Sequence, residues 1–203
     1  MKLFRIIIGS LFFSILLFSC KNESKNSETS SSTTTSDISE EIDEAELAET
    51  KNKQVNSLMA KMMVTPELSE FTSMIVSVQL ADLLLDSEGP LTVFAPTNDA
   101  FANIPQAIKQ DLSNPNYKEN LTTLLKNHII EEDLTSSVLL QSIQKNGEYS
   151  IKTMGGASLT AYLDDGNIMV KDLNGVKAKI GKSDILGTNG KLHILDAVLS
   201  TTR

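Results

Sequence analysis

The segment Leu91-Thr92-Val93-Phe94-Ala95-Pro96-Thr97-Asn98-Asp99-Ala100-Phe101 joins two kinds of local order within eleven residues. Its first five residues are apolar or β-branched and carry no charge, which suits a strand buried on both faces. Pro96 has no amide hydrogen for a ladder and ends the run. The Thr97-Asn98 pair that follows can cap a helix, because short polar side chains accept from the free amides of a first helical turn. A buried strand therefore passes directly into a helix near the middle of the chain.

Upstream the apolar spacing is helical. Val55, Leu58, Met59, Met62 and Met63 follow one period, and Leu68, Phe71, Ile75 and Val78 follow another after Pro66. Both sets are read as core faces, with methionine as a packing residue and not a metal ligand. A short helix from Leu80 to Asp86 should stop at Gly89-Pro90. Downstream the period shortens to two: Tyr149, Ile151 and Thr153 alternate, then Leu159, Ala161 and Leu163, then Ile168 and Val170. Asp165-Gly166 between the last two runs predicts a hairpin, and Asn189-Gly190 predicts a final turn before Leu192, Ile194 and Leu195. Helices first and strands later, without regular βαβ alternation, give an α+β domain with antiparallel sheets.

The amino-terminal fifty residues are of a different kind. Lys2 and Arg5 precede an apolar run from Ile6 to Phe18 that is too short to span a bilayer. The run ends at Leu17-Phe18-Ser19-Cys20, and Cys20 is the only cysteine of the chain. This stretch resembles the lipobox of bacterial lipoproteins, which implies a signal peptide over 1–19 and lipid attachment at Cys20. From Lys21 to Thr50 there is little to bury, and nine acidic residues face Lys21 and Lys25, a net of −7. Such a segment is expected to be a flexible stalk over 20–50, with a frayed helix over Glu40–Glu49 as the lesser alternative. Residues 51–203 then carry only −3 of the total −8.

Three segments carry a resemblance to a known family. Leu91 to Phe101 is similar to the first signature of the fasciclin domain. Gly190-Lys191-Leu192-His193-Ile194-Leu195-Asp196-Ala197-Val198-Leu199 resembles the second, and Asn127-His128-Ile129-Ile130 occupies the place of the Tyr-His strand. The resemblance spans about residues 55–200. It implies a wedge of two mainly antiparallel β-sheets with a helical layer packed on one side, and a structural role for Thr97, Asn98 and Asp196, with the Asp196 carboxylate accepting near Thr97 or Asn98. Two departures bear on function: Asn127 stands where the family has an aromatic, and Glu131-Glu132-Asp133 replaces a Pro-Gly turn. The integrin contact associated with the Tyr-His region of animal members is not carried over. Asn127 and His128 are retained as candidate contact residues, beside the simpler reading of His128 as a partly buried histidine bonded to backbone.

The chemistry of a catalytic site finds little material. With His128 and His193 alone and Cys20 committed to lipid, a Cys/His zinc site cannot be assembled, and neither a metal nor another cofactor is expected. Gly181-Lys182-Ser183 resembles the end of a phosphate loop, but the preceding glycine, Gly175, is one residue too far away. Glu131, Glu132 and Asp133 lack the alternating ligand spacing of a calcium loop and are read as solvated. The net charge of −8, an aromatic content of 5% and the absence of any run of basic residues argue against nucleic acid.

The expected function is that of a non-catalytic binding or adhesion module. A lipid would hold it to the membrane of the cell envelope, on the periplasmic or surface-exposed face of the outer membrane, and the stalk would let it reach a protein or polysaccharide of the envelope or extracellular matrix. The alternative is a small-ligand carrier or enzyme using a pocket between sheets and helices.

Overall fold

Strand β1 (Leu91–Pro96) is buried at all six positions, as its unbroken apolar run requires. In the computed structural model, which describes residues 37–199, β1 pairs antiparallel with the short β2 (Ile129–Ile130) and parallel with β8 (Gly190–Leu195). Six residue pairs, from Leu91↔Gly190 to Pro96↔Leu195, join β1 to β8. Strand β7 (Ile185–Gly187) closes the outer edge of β8, so the first sheet has the order β2-β1-β8-β7. The second sheet is a plain antiparallel meander of β3 (Glu148–Lys152), β4 (Ser158–Asp164), β5 (Asn167–Lys171) and β6 (Lys177–Lys179).

Helices cover one face of the first sheet. Upstream of β1 lie α1 (Asp37–Val55), α2 (Leu58–Met63), α3 (Ser69–Ser77) and α4 (Ala81–Asp86), and after it come α5 (Asn98–Ala102), α6 (Gln106–Leu112) and α7 (Lys118–Lys126). One core is formed where Leu58, Met62, Phe71, Ile75 and Leu125 of these helices meet Val93, Ala95, Leu192 and Ile194 of the sheet. The opposite face of the same sheet presents Phe94, Ile130 and Leu195. These join Leu139 and Ile143 of α8 (Ser136–Asn146), and Ile151, Leu159, Ala161, Val170 and Ala178 of the second sheet, in a second core. Alternation along β1 and β8 thus sends neighbouring residues into different cores. The two sheets are stitched where Ile180 bridges Leu195, with Gly181 N donating to Ile194 O at 2.9 Å and Ile194 N to Lys182 O at 2.8 Å. This is the α+β wedge of two sheets with a helical layer on one side.

The hairpin at Asp165-Gly166 forms as its residues require. Both have positive φ, 46° and 77°, the geometry of the two-residue turn that matches strand twist. The final turn falls one residue earlier than expected: Gly187 pairs with Gly190, so Thr188 and Asn189 form the turn and Gly190 already belongs to β8.

Two expectations need correction. The spacer expected through Thr50 gives way to α1, which starts at Asp37 and runs to Val55. Its residues 44–53 are exposed, so it stands as a solvated helix, fastened at its end where Thr188 Oγ1 donates to Lys53 O at 2.8 Å and Thr188 N to Asn56 O at 2.9 Å. Anchoring of the last turn removes part of the nucleation cost that makes an isolated polar helix marginal. Second, Val55 and Met63 are exposed and do not belong to a core face. The chain breaks after Val55, and Ser57 caps a new helix by accepting from Ala60 N at 3.2 Å, which resets the helical phase.

Candidate functional site

The two signature segments, about ninety residues apart in sequence, lie side by side as β1 and β8. Around them the polar residues singled out from sequence take up positions set by backbone hydrogen bonding. Thr97 Oγ1 accepts from Ala100 N at 3.1 Å and caps α5. Asn98 takes no part in that cap. Its Oδ1 accepts from Glu70 N at 3.0 Å and its Nδ2 donates to Pro66 O at 3.0 Å. It therefore clamps the start of α3 and the 3-10 turn Pro66–Leu68 to the end of β1. The Asp196 carboxylate reaches neither residue. It accepts from Lys179 N at 2.7 Å and so ties the end of β8 to β6 of the other sheet, because the antiparallel bridge between Ile180 and Leu195 sets Asp196 opposite Lys179; Thr97 N bonds instead to Leu195 O at 3.0 Å.

Asn127 and His128 are both buried, at 1% and 0% exposure, which removes them as residues that an outside partner can touch. Asn127 Oδ1 accepts from Thr153 Oγ1 at 2.9 Å. A Cβ on Gly155 would collide with the Asn127 side chain, so that glycine lets the β3–β4 loop close over it. His128 Nδ1 lies 2.9 Å from Leu124 O, and His128 Nε2 accepts from Leu199 N at 3.1 Å. An acceptor facing Nδ1 and a donor facing Nε2 fix the neutral Nδ1–H tautomer. Burial pushes the pKa of His128 down to about 4, against the raising effects of the Leu124 carbonyl and of Asp172.

His193 shows the opposite tautomer. Its Nε2 lies 2.7 Å from Leu134 O, while Nδ1 faces Asp184 N at 3.4 Å. Burial lowers its pKa as well, opposed by the Leu134 carbonyl and by Asp184. Phe71 packs edge-on to His128 and Phe94 lies tilted against His193. Each histidine thus works as a neutral bracket between backbone segments, with both ring nitrogens engaged, and neither is placed to take a proton from a bound molecule.

Two residues that organise the site carried no distinguishing signal in the sequence. Thr92, buried inside β1, donates through Oγ1 to Glu132 O at 2.6 Å and accepts from Leu134 N at 2.9 Å. It holds the acidic loop after β2, where Asp133 pairs with Lys191 and Tyr149 OH approaches Glu132 Oε2 at 3.5 Å. Asn189 Oδ1 accepts from Leu58 N at 2.9 Å and its Nδ2 donates to Leu84 O at 3.0 Å, so a turn residue joins α2, α4 and β8. A threonine in an apolar run and an asparagine before glycine look like ordinary strand and turn choices; only tertiary pairing shows their second use. Among the described residues no cluster of His, Cys, Asp or Glu could hold a metal ion, and no helix is long and apolar enough to cross a membrane. Cys20 lies outside the described residues.

Comparison with known proteins agrees with this arrangement. The family model described as Fasciclin domain matches residues 66–201. The protein sll1483 of Synechocystis is 32% identical over 146 residues, covering 71% of this chain and 74% of that protein. Transforming growth factor-beta-induced protein ig-h3 of Sus scrofa is 32% identical over 117 residues, covering 57% of this chain but 15% of the relative. Human periostin is 29% identical over 133 residues, 66% of this chain and 14% of periostin. The chain therefore corresponds to most of the first relative and to a small part of the other two. A solved structure, a FAS1 domain pair from the insect cell adhesion molecule Fasciclin I, superposes with a TM-score of 0.62 at 20% identity, covering 71% of this chain and 50% of that one. The paired signatures of β1 and β8, the two-sheet wedge and the match over residues 66–201 lead to one assignment: this chain belongs to the fasciclin domain family.

Proposed function

We propose that this protein is a bacterial lipoprotein whose fasciclin domain serves as a non-catalytic adhesion module, held to the cell envelope through Cys20 and recognising a protein or polysaccharide of the envelope or extracellular matrix. The observation that carries this reading is the family match over residues 66–201, together with the superposition on a domain pair from an insect cell adhesion molecule. The site chemistry is in keeping with it, because the two histidines are buried, neutral and committed to backbone partners. The amino-terminal charge pattern, the apolar run and the sole cysteine at its end support lipid attachment.

The reading is tested in whole cells. The wild-type chain should incorporate labelled palmitate, fractionate with membranes and promote attachment of cells to matrix-coated surfaces. Cys20→Ala should abolish labelling and release the protein from the membrane. Attachment that survives deletion of the whole chain would refute the adhesion role, and labelling that survives Cys20→Ala would refute the anchor.

A further inference from the structure

The second sheet is covered on one face only. Ile151, Leu159, Ala161, Val170 and Ala178 point into the core, so the alternate residues form the opposite face. The strand register brings them into rows: Ser150↔Thr160↔Lys171↔Lys177 in one, Glu148↔Tyr162↔Met169↔Lys179 in the next, and Lys152↔Ser158 beside the first. Lys152, Lys171, Lys177 and Lys179 are scattered over 28 positions of sequence, which is why no basic run is visible there, yet pairing gathers all four on one surface. Neighbouring strands are about 4.8 Å apart and alternate residues roughly 7 Å apart, so Lys177 has Lys171 across the ladder and Lys179 two residues along. None of the four forms a salt bridge among the described residues. Lys171 lies 5.6 Å from the centre of the Tyr162 ring. Glu148 and Asp164 border the patch, which remains positive on a chain whose net charge is −8.

We propose that this lysine-bearing face of the second sheet is a docking surface for an acidic polysaccharide, a chain of carboxylate-bearing sugars lying across β4, β5 and β6. Charge complementarity selects an anionic partner, and the surroundings select its class. Lysine offers compact point charges suited to anionic groups spaced along a flexible chain, without the planar fork that grips one carboxylate or phosphate bidentately. Ser150, Ser158, Thr160 and Asn167 supply groups that can bond sugar hydroxyls, while Tyr162, with Lys171 over its ring, and Met169 add only half-buried apolar surface between them. A single aromatic is too little for the base stacking that single-stranded nucleic acid uses. Concentrated on one face, four lysines that form no salt bridge among the described residues can hold a polyanion that the net charge of the chain repels elsewhere.

The proposal names the partner class within the adhesion reading and rests on it, and the experiment keeps the two apart. Full-length protein in nonionic detergent is titrated with polygalacturonate, neutral dextran and double-stranded DNA of matched charge concentration. Binding is expected for polygalacturonate, weakening as salt rises, with none for dextran and less for DNA. The variant Lys152→Gln/Lys171→Gln/Lys177→Gln/Lys179→Gln should lose roughly tenfold or more in affinity, while Lys51→Gln/Lys61→Gln/Lys118→Gln/Lys145→Gln should bind as wild type. Carbodiimide coupling of bound polygalacturonate to the unmodified protein, followed by peptide mapping, should mark these four lysines and so reads the face without any substitution. Failure to bind polygalacturonate, coupling elsewhere, or tighter binding of DNA overturns the proposal. If cells still attach with the quadruple variant but not with the chain deleted, the adhesion role stands and this face is not its means.

Discussion

His128 makes the fold sensitive to mild acid, because its native environment has no place for a second proton. Nε2 already accepts the Leu199 amide, Nδ1–H already donates to Leu124 O, and the ring is fully buried. Its folded pKa, about 4, lies below the ordinary value of 6.5, so between those values the unfolded chain binds more protons and stability rises with pH. The contribution is complete above about pH 6.5 and is lost progressively down to about pH 4. Between pH 6.5 and 5 the loss from this residue should be about 2 kcal/mol, with His193 acting in the same direction. Urea unfolding followed from pH 7 to 5 should show this slope, and His128→Asn should flatten it; a wild-type stability that does not change over this window would refute the account. Asn189 offers a second test at the same scale. Asn189→Ala leaves Leu58 N and Leu84 O without their partners, at a cost of about 2–4 kcal/mol for two buried backbone groups. A loss under 1 kcal/mol in denaturant titration would mean that water replaces the side chain. A buried, backbone-bonded role for His128 was legible beforehand, but its tautomer was not, because that depends on Leu124 and Leu199, and Asn189 reads only as a turn former.

At the scale of elements, legibility follows how local the determinants are. The strand over Leu91–Pro96, the Thr97 cap, the helix ending before Gly89-Pro90 and the Asp165-Gly166 hairpin all depend on a few adjacent residues, and all could be read directly. That β1 lies beside β8 is implied only by the family resemblance, and the parallel sense of that pair departs from the antiparallel sheets read from the sequence, since no spacing within either strand specifies its neighbour or its direction. The patch formed by Lys152, Lys171, Lys177 and Lys179 was invisible for the same reason, because cross-strand register creates it. Helix α1 shows the reverse difficulty. Its composition suits a solvated segment, yet its end is held by Thr188, a residue more than a hundred positions away. Such a helix should be stable only near that attachment. Amide hydrogen exchange should therefore show protection falling from Val55 toward Asp37, with core strand β1 the slowest to exchange; uniform strong protection along α1 would indicate a packing partner for its exposed face. Thr188→Ala should weaken protection in the last turns of α1 while leaving β1 unchanged.

For the whole molecule, the decisive feature is that one sheet separates two cores and belongs to both. Phe71 fills the helical side and Phe94 the side facing α8 and the second sheet, and both are completely buried. If the halves were independent layers, damage to one would leave the other folded and produce two transitions. The architecture argues otherwise, because Val93 and Ala95 of β1 serve the first core while Phe94 between them serves the second, and β8 divides Ile194 and Leu195 in the same manner. Neither core can come apart without displacing strands that the other requires. Phe71→Ala and Phe94→Ala should each cost about 3–5 kcal/mol through lost burial and residual cavity. Each should also lower one common unfolding transition, with far-ultraviolet dichroism, tyrosine fluorescence and calorimetry giving coincident midpoints. The tyrosine signal is informative here once Tyr117, which precedes α7 on the helical side, is replaced by Phe, because Tyr149 and Tyr162 then report the second sheet alone, far in sequence from Phe71. A Phe71→Ala variant in which that signal keeps the wild-type midpoint while helical dichroism melts early would show that the wedge is two folding units and not one.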